Sequence, residues 1–80
     1  MKVRLLYFAV LRDIVGKSET EWEVPDGTRA ADLWQRLRAQ HTKLAAAPQP
    51  MTAVNETYVP PDAVLRDGDE VAFIPPVAGG

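Results

Sequence analysis

Apolar and polar positions alternate near both ends of the chain and recur at helical spacing in the middle. Residues 2–10 (KVRLLYFAV) are rich in β-branched and aromatic types and too short for a helix of ordinary length, which predicts a first strand. Alternation puts Val3, Leu5 and Tyr7 on one side and Leu6 and Phe8 on the other, with Lys2 and Arg4. Asp13–Ser18 reads as a turn around Gly16. Residues 19–24 then alternate cleanly: Glu19, Glu21 and Glu23 face water while Thr20, Trp22 and Val24 face the core. The first two elements are expected to form a hairpin. After the Pro25-Asp26-Gly27 turn, Thr28 occupies the position of a helix N-cap and Asp32 that of a first-turn acid. Ala30, Leu33, Trp34, Leu37 and His41 share one face of a helix over about 29–43. Ala45–Pro50 is a loop. Short strands follow at 51–55 and 57–59, separated by an Asn55-Glu56 turn. Pro60-Pro61 and the Arg66-Asp67-Gly68-Asp69 turn lead to a last strand, 70–74, with Val71 and Phe73 inward and Ala72 and Ile74 outward. Pro75-Pro76 stops that strand.

One main helix and one mixed sheet each have a single apolar face to bury, so they are expected to bury it against each other. The order predicts an α+β, β-grasp domain over 1–76, its first and last strands side by side and parallel at the sheet centre. Residues 77–80 would be a flexible tail. Eighty residues support a single core with little volume for a deep pocket.

Composition narrows the chemistry. A net charge of −2 offers no basic stripe for nucleic acid. The absence of cysteine removes disulfides, thiolate metal sites and a thiol nucleophile, and favours the cytoplasm. The apolar run after Met1-Lys2 is too short to cross a membrane. His41, the single histidine, reads as a helix-end residue, with no second ligand spaced to complete a site. Glu19, Glu21 and Glu23 form one solvated face, and Asp67-Gly68-Asp69 falls far short of a calcium loop. Trp22 and Trp34 read as core, and Arg12 and Arg29 as solvated charge. No triad, phosphate loop or metal cluster emerges, so the chain supplies no catalytic side chain of its own.

Two features remain. The end, Val77-Ala78-Gly79-Gly80, is slim enough to thread a tunnel and deliver a carboxylate to another protein's active site, although a bare Gly-Gly is also what a frayed end looks like. Adenylation by ATP would give that carboxylate a leaving group that sulfur can replace. Beside the tail, the strand phases gather Leu6, Phe8, Ala72 and Ile74 on the face away from the helix, with Tyr58 as a neighbour. This reads as a docking surface, against the alternative of scattered exposed apolar side chains.

Leu65–Gly80, with its run DGDEVAFIPPVAGG, closely resembles the C-terminal signature of molybdopterin synthase small subunits, the MoaD family. Leu6–Asp13 resembles that family's first strand and the Phe-Ala-x-x-Arg stretch after it, and Ala53–Val59 its middle strand. The resemblance implies a ubiquitin-like fold and a sulfur carrier. An adenylating enzyme would activate Gly80 with ATP, and a donor such as a cysteine desulfurase or rhodanese would supply sulfur for a thiocarboxylate. The large synthase subunit would receive the tail, with sulfur passing to cyclic pyranopterin monophosphate to build the dithiolene in a heterotetramer. Carried over, Gly80 bears the sulfur, Val77, Ala78 and Gly79 thread, and Phe8, Tyr58 and Ile74 dock. The chain would bind no cofactor or metal itself. A carrier for thiamine thiazole or another sulfur pathway is the nearest rival; a protein modifier and a plain interaction module are the others.

Overall fold

The computed structural model describes residues 1–74. Within them, β1 (Lys2–Tyr7), α1 (Ala9–Val15), β2 (Glu19–Glu23), α2 (Ala30–Gln40), β3 (Met51–Val54), β4 (Thr57–Val59) and β5 (Glu70–Ile74) follow in order, with a 3-10 turn over Thr42–Leu44. The five strands form one sheet in the order β2-β1-β5-β3-β4. β1 and β5 are parallel neighbours at its centre, Leu5 opposite Val71 and Tyr7 opposite Phe73. The other pairings, β1–β2, β3–β5 and β3–β4, are antiparallel. This is the expected β-grasp sheet, held by contacts between the two ends of the chain.

The core lies between one sheet face and α2. Val3, Leu5, Val71 and Phe73 meet Leu33, Trp34 and Leu37, all buried. The Phe73 and Trp34 rings are tilted at 57° with centroids 5.5 Å apart, a favourable edge-to-face range. Each such side chain contributes about 1.5–3 kcal/mol through removal from water.

The structure corrects the sequence reading in four places. The first strand stops at Tyr7 rather than residue 10, and Ala9–Val15 coil into α1. Leu11, Ile14 and Val15 have helical spacing, which the unbroken apolar run ahead of them conceals; Leu11 is buried and the other two pack against the core. Gly16 is the left-handed C-cap of α1 at φ 82°, and its N–H donates to Arg12 C=O. β1 and β2 therefore pair antiparallel but are joined by a helix, not a tight turn. Second, Arg29, not Thr28, is the N-cap of α2. Its backbone N–H donates to Asp32 Oδ2 at 2.9 Å, while Thr28 Oγ1 donates to Pro25 C=O at 2.6 Å and ties down the preceding turn. Third, α2 ends at Gln40 rather than residue 43, and the 3-10 turn buries Leu44 beneath it. Fourth, Trp22 packs against the core on the predicted face but is only half-buried; the Arg36 guanidinium covers its ring at 4.5 Å from the centroid.

Tyr7 is buried with its hydroxyl 2.6 Å from Thr20 Oγ1. Burial raises its pKa above the ordinary 10.0, opposed in part by the Thr20 hydrogen bond. The unfolded chain then loses the phenolic proton before the folded one does. The resulting stabilisation is complete below pH 10 and lost as pH rises through the folded-state value. Chemical denaturation at pH 8 to 11 should show a steeper alkaline fall in stability for the native chain than for Tyr7→Phe. Parallel curves would mean that Tyr7 ionises equally well in both states.

Candidate functional site

The sheet face turned away from α2 carries the candidate site. The cross-strand register builds it: Leu6 lies opposite Ala72, Ala72 opposite Ala53, and Ala53 opposite Tyr58. One row of apolar residues thus crosses four strands. A second row begins with Met51 opposite Ile74. Carrying the parallel register one step past Tyr7–Phe73 brings Phe8 beside Ile74, and Phe8 is still extended at φ −124°, ψ 153°. Phe8, Met51 and Tyr58 are 49%, 56% and 61% exposed, too much for side chains whose purpose is packing. Leu6, Ala72 and Ile74 between them are half-buried.

Local chemistry fixes this register. Asn55 and Glu56 form a two-residue hairpin turn, both at positive φ (49° and 70°), the conformation that matches strand twist. Asn55 N–H donates to Glu70 C=O at 2.8 Å, Glu70 N–H to Asn55 Oδ1 at 3.0 Å, and Asn55 Nδ2 to Asp69 Oδ1 at 3.0 Å. One side chain therefore clasps the β3–β4 turn to the start of β5 and sets Tyr58 across from Ala53.

The face is divided. At the opposite end of the strands it is charged: Arg4 bonds Glu70 at 2.8 Å and approaches Glu19 at 3.9 Å, with Glu21 and Glu23 on the β2 edge opposite Arg4 and Lys2. These exposed pairs add at most about 1 kcal/mol each. They bound the apolar area and shield the β2 edge from strand addition. Four carboxylates against two cations leave this margin acidic.

Phe8, Tyr58 and Ile74 come together on this face as expected. Met51 and Ala53, to which the sequence reading assigned no face, complete it; the two-residue turn, once recognised, gives their phase. Val77, Ala78, Gly79 and Gly80 lie outside the described residues, and β5 leads toward them from the apolar end. His41 sits apart, partly buried at the end of α2 in a small cleft with Ile14, Gln40, Thr42 and Lys43. Arg29 donates to Asp62 C=O at 3.3 Å.

A five-stranded mixed sheet with a central parallel pair and one main helix on a single face is the ubiquitin-like β-grasp architecture. The chain belongs to the ThiS family, whose model matches residues 5–80. Among curated relatives, the molybdopterin synthase sulfur carrier subunit of Chlamydomonas reinhardtii is 40% identical over the whole of both chains. That of Escherichia coli is 43% identical, covering 98% of this chain and 99% of its own. Small archaeal modifier protein 3 of Haloferax volcanii is 33% identical over all of both. A solution structure of another Haloferax volcanii protein superposes with TM-score 0.88 at 32% identity, covering this chain fully and 87% of that one. A chain from the complex of subunits 1 and 2 of the Helicobacter pylori molybdopterin-converting factor matches at TM-score 0.66 and 21% identity, over the full length of both, a likeness of fold.

Proposed function

We propose that this chain is the sulfur carrier of molybdopterin synthesis. The supporting observation is a divided sheet face whose apolar half adjoins the end of β5, in a chain matched end to end by sulfur carrier subunits. In this reading the Gly80 carboxylate attacks the α-phosphorus of ATP within an adenylating enzyme and pyrophosphate leaves. The persulfide of a cysteine desulfurase or rhodanese then displaces AMP from the acyl carbon, and a second thiol cleaves the resulting acyl disulfide, releasing the thiocarboxylate and leaving a disulfide between the donor cysteine and that thiol. The carrier docks through Phe8, Tyr58 and Ile74 on the large synthase subunit. Val77, Ala78 and Gly79 let the tail pass a narrow channel, and sulfur passes to cyclic pyranopterin monophosphate. The acidic margin of the face calls for a basic rim on that partner.

Calorimetry with the large subunit tests the docking step. Phe8→Asp should weaken binding by roughly 30- to 1000-fold, the range for lost interface anchors of ~2–4 kcal/mol. Thermal stability should barely change, because Phe8 is half exposed in the free chain. Unaltered affinity would remove the open face from the mechanism.

The modifier-like relative supports a second reading, in which the activated Gly80 is joined to lysine amines of other proteins. Stable conjugates after incubation with an activating enzyme, ATP and a cell extract would favour it; a thiocarboxylate without conjugates would favour the carrier.

A further inference from the structure

The chain carries two sulfur atoms, those of Met1 and Met51, since it contains no cysteine. Their surroundings differ. The Met1 side chain is 5% exposed and packs against the core, and its ammonium group donates to Val24 C=O at 2.8 Å. Met51 is 56% exposed on the open sheet face, opposite Ile74. Its flank toward β4 is open as well. β4 stops one residue short of β3, with Thr52 opposite Val59, so Met51 has no partner on that strand. The gap is a notch of about 310 Å³ whose lining includes Met51, Tyr58 and Val59. Pro60 and Pro61 bring no N–H with which to extend the ladder over it. The Met51 thioether is therefore open to solvent, while that of Met1 is not.

A thioether does not ionise, so its reaction with an oxidant is governed by access. With hydrogen peroxide, the sulfur lone pair attacks one oxygen and the O–O bond breaks. The proton on the transferred oxygen passes to the departing hydroxide, which leaves as water. Sulfur is oxidised by two electrons and peroxide is reduced by two. The product is a sulfoxide, a polar acceptor in place of a flexible apolar side chain. On the free chain the change is cheap, because water solvates the new oxygen. Beneath a docked protein it is costly. Met51 lies in the apolar half of the face, in the row it begins with Ile74, and an oxygen buried there loses water without gaining a donor.

We propose that Met51 is an oxidation site that controls docking: peroxide converts its thioether to the sulfoxide in the free chain, and the sulfoxide form binds the large synthase subunit weakly. Burial spares Met1. Docking spares Met51, because the partner then covers the face on which it stands. Oxidation thus removes free carrier from use and leaves assembled complexes intact. The inference rests on the docking reading above and adds a covalent modification that acts on it.

The first test needs no partner. The full chain is treated with hydrogen peroxide, the excess is removed with catalase, and the added oxygen is located by peptide mapping. Mapping is needed because one added oxygen and one oxygen exchanged for sulfur at the tail change the mass almost equally. Oxygen should appear at Met51 several-fold faster than at Met1, and the melting temperature should barely change. Equal rates at the two methionines overturn the site. The second test is calorimetry with the large synthase subunit. The oxidised chain should bind roughly five- to 150-fold more weakly, as for one polar group buried without a partner, and treatment with methionine sulfoxide reductases should restore it. Met51→Leu should dock like the native chain and be indifferent to peroxide; Met51→Gln should dock weakly without it. If Phe8→Asp abolishes docking while the oxidised chain binds normally, the oxidation site is wrong and the docking face stands. An equal loss in peroxide-treated Met51→Leu also overturns it, since the damage then lies elsewhere. If neither Phe8→Asp nor oxidation alters affinity, the docking reading itself falls, and this inference with it.

Discussion

A chain ending at Gly79 will take up no sulfur. Incubated with an adenylating enzyme, ATP and a sulfur source, the full chain should gain the mass of sulfur in place of one oxygen, and the shortened chain should gain nothing. The reason is reach. One residue less shortens an extended tail by about 3.5 Å. Acyl activation needs the reacting atoms within roughly 3–3.5 Å, and misplacement by even 1 Å can cost about a hundredfold in rate. Adding a residue beyond Gly80 fails for the complementary reason, since the activated carbonyl then belongs to a different residue at a different depth. The fold should survive either change. The core residues run from Val3 to Phe73, and none of the described packing depends on the last residue. Circular dichroism and melting should therefore match the full chain. Sulfur uptake by the shortened chain would remove Gly80 from the mechanism.

The second large effect is on stability. Phe73→Ala should cost about 3–5 kcal/mol, the usual range for an aromatic deleted from a tight core. The side chain is fully buried, stacks near Trp34, and sits on the strand that pairs with both β1 and β3. A domain of this length has only about 4–12 kcal/mol in total. With a denaturant slope near 1–1.5 kcal/mol per molar, the urea midpoint should fall by roughly 2–5 M, close to complete unfolding in water for a marginal variant. The adjacent Ile74→Asp should behave in the opposite sense, losing partner affinity while largely retaining its midpoint, because Ile74 faces the open side. A Phe73→Ala loss below about 1 kcal/mol would mean that the core can collapse around the cavity.

The contrast between these neighbours was readable in the amino-acid sequence. In Glu70–Ile74 and Glu19–Val24 strict alternation assigns every side chain a face, and the structure agrees for each of Val71, Ala72, Phe73 and Ile74. α1 was hidden for a physical reason. Leu5 through Leu11 form a nearly unbroken apolar run, and such a run has no period until its neighbours are known. The change from strand to helix occurs at Ala9, whose φ of 49° is a backbone irregularity without a sequence signal. Thr28 was the better N-cap by residue type, yet Asp32 bonds back to the Arg29 N–H, so the start of α2 is set by the acid three residues into the helix. Of the candidate site, Phe8, Tyr58 and Ile74 followed from phase and from resemblance. The notch beside Met51 and Val59 did not, because it arises where β4 ends one residue short of β3.

The position of β5 also has a mechanical consequence. In the proposed mechanism, a tail held in a partner's channel would be tugged each time the two proteins separate, and the load would enter the described domain along β5. That strand is bonded to β1 on one side and to β3 on the other. A pull along its axis therefore strains both ladders at once, in shear, with all rungs sharing the force. An edge strand pulled crosswise would instead release its bonds one by one, like a zipper. Under that mechanism, a last strand in the middle of the sheet would let the domain be gripped by its end and withdrawn repeatedly without coming apart.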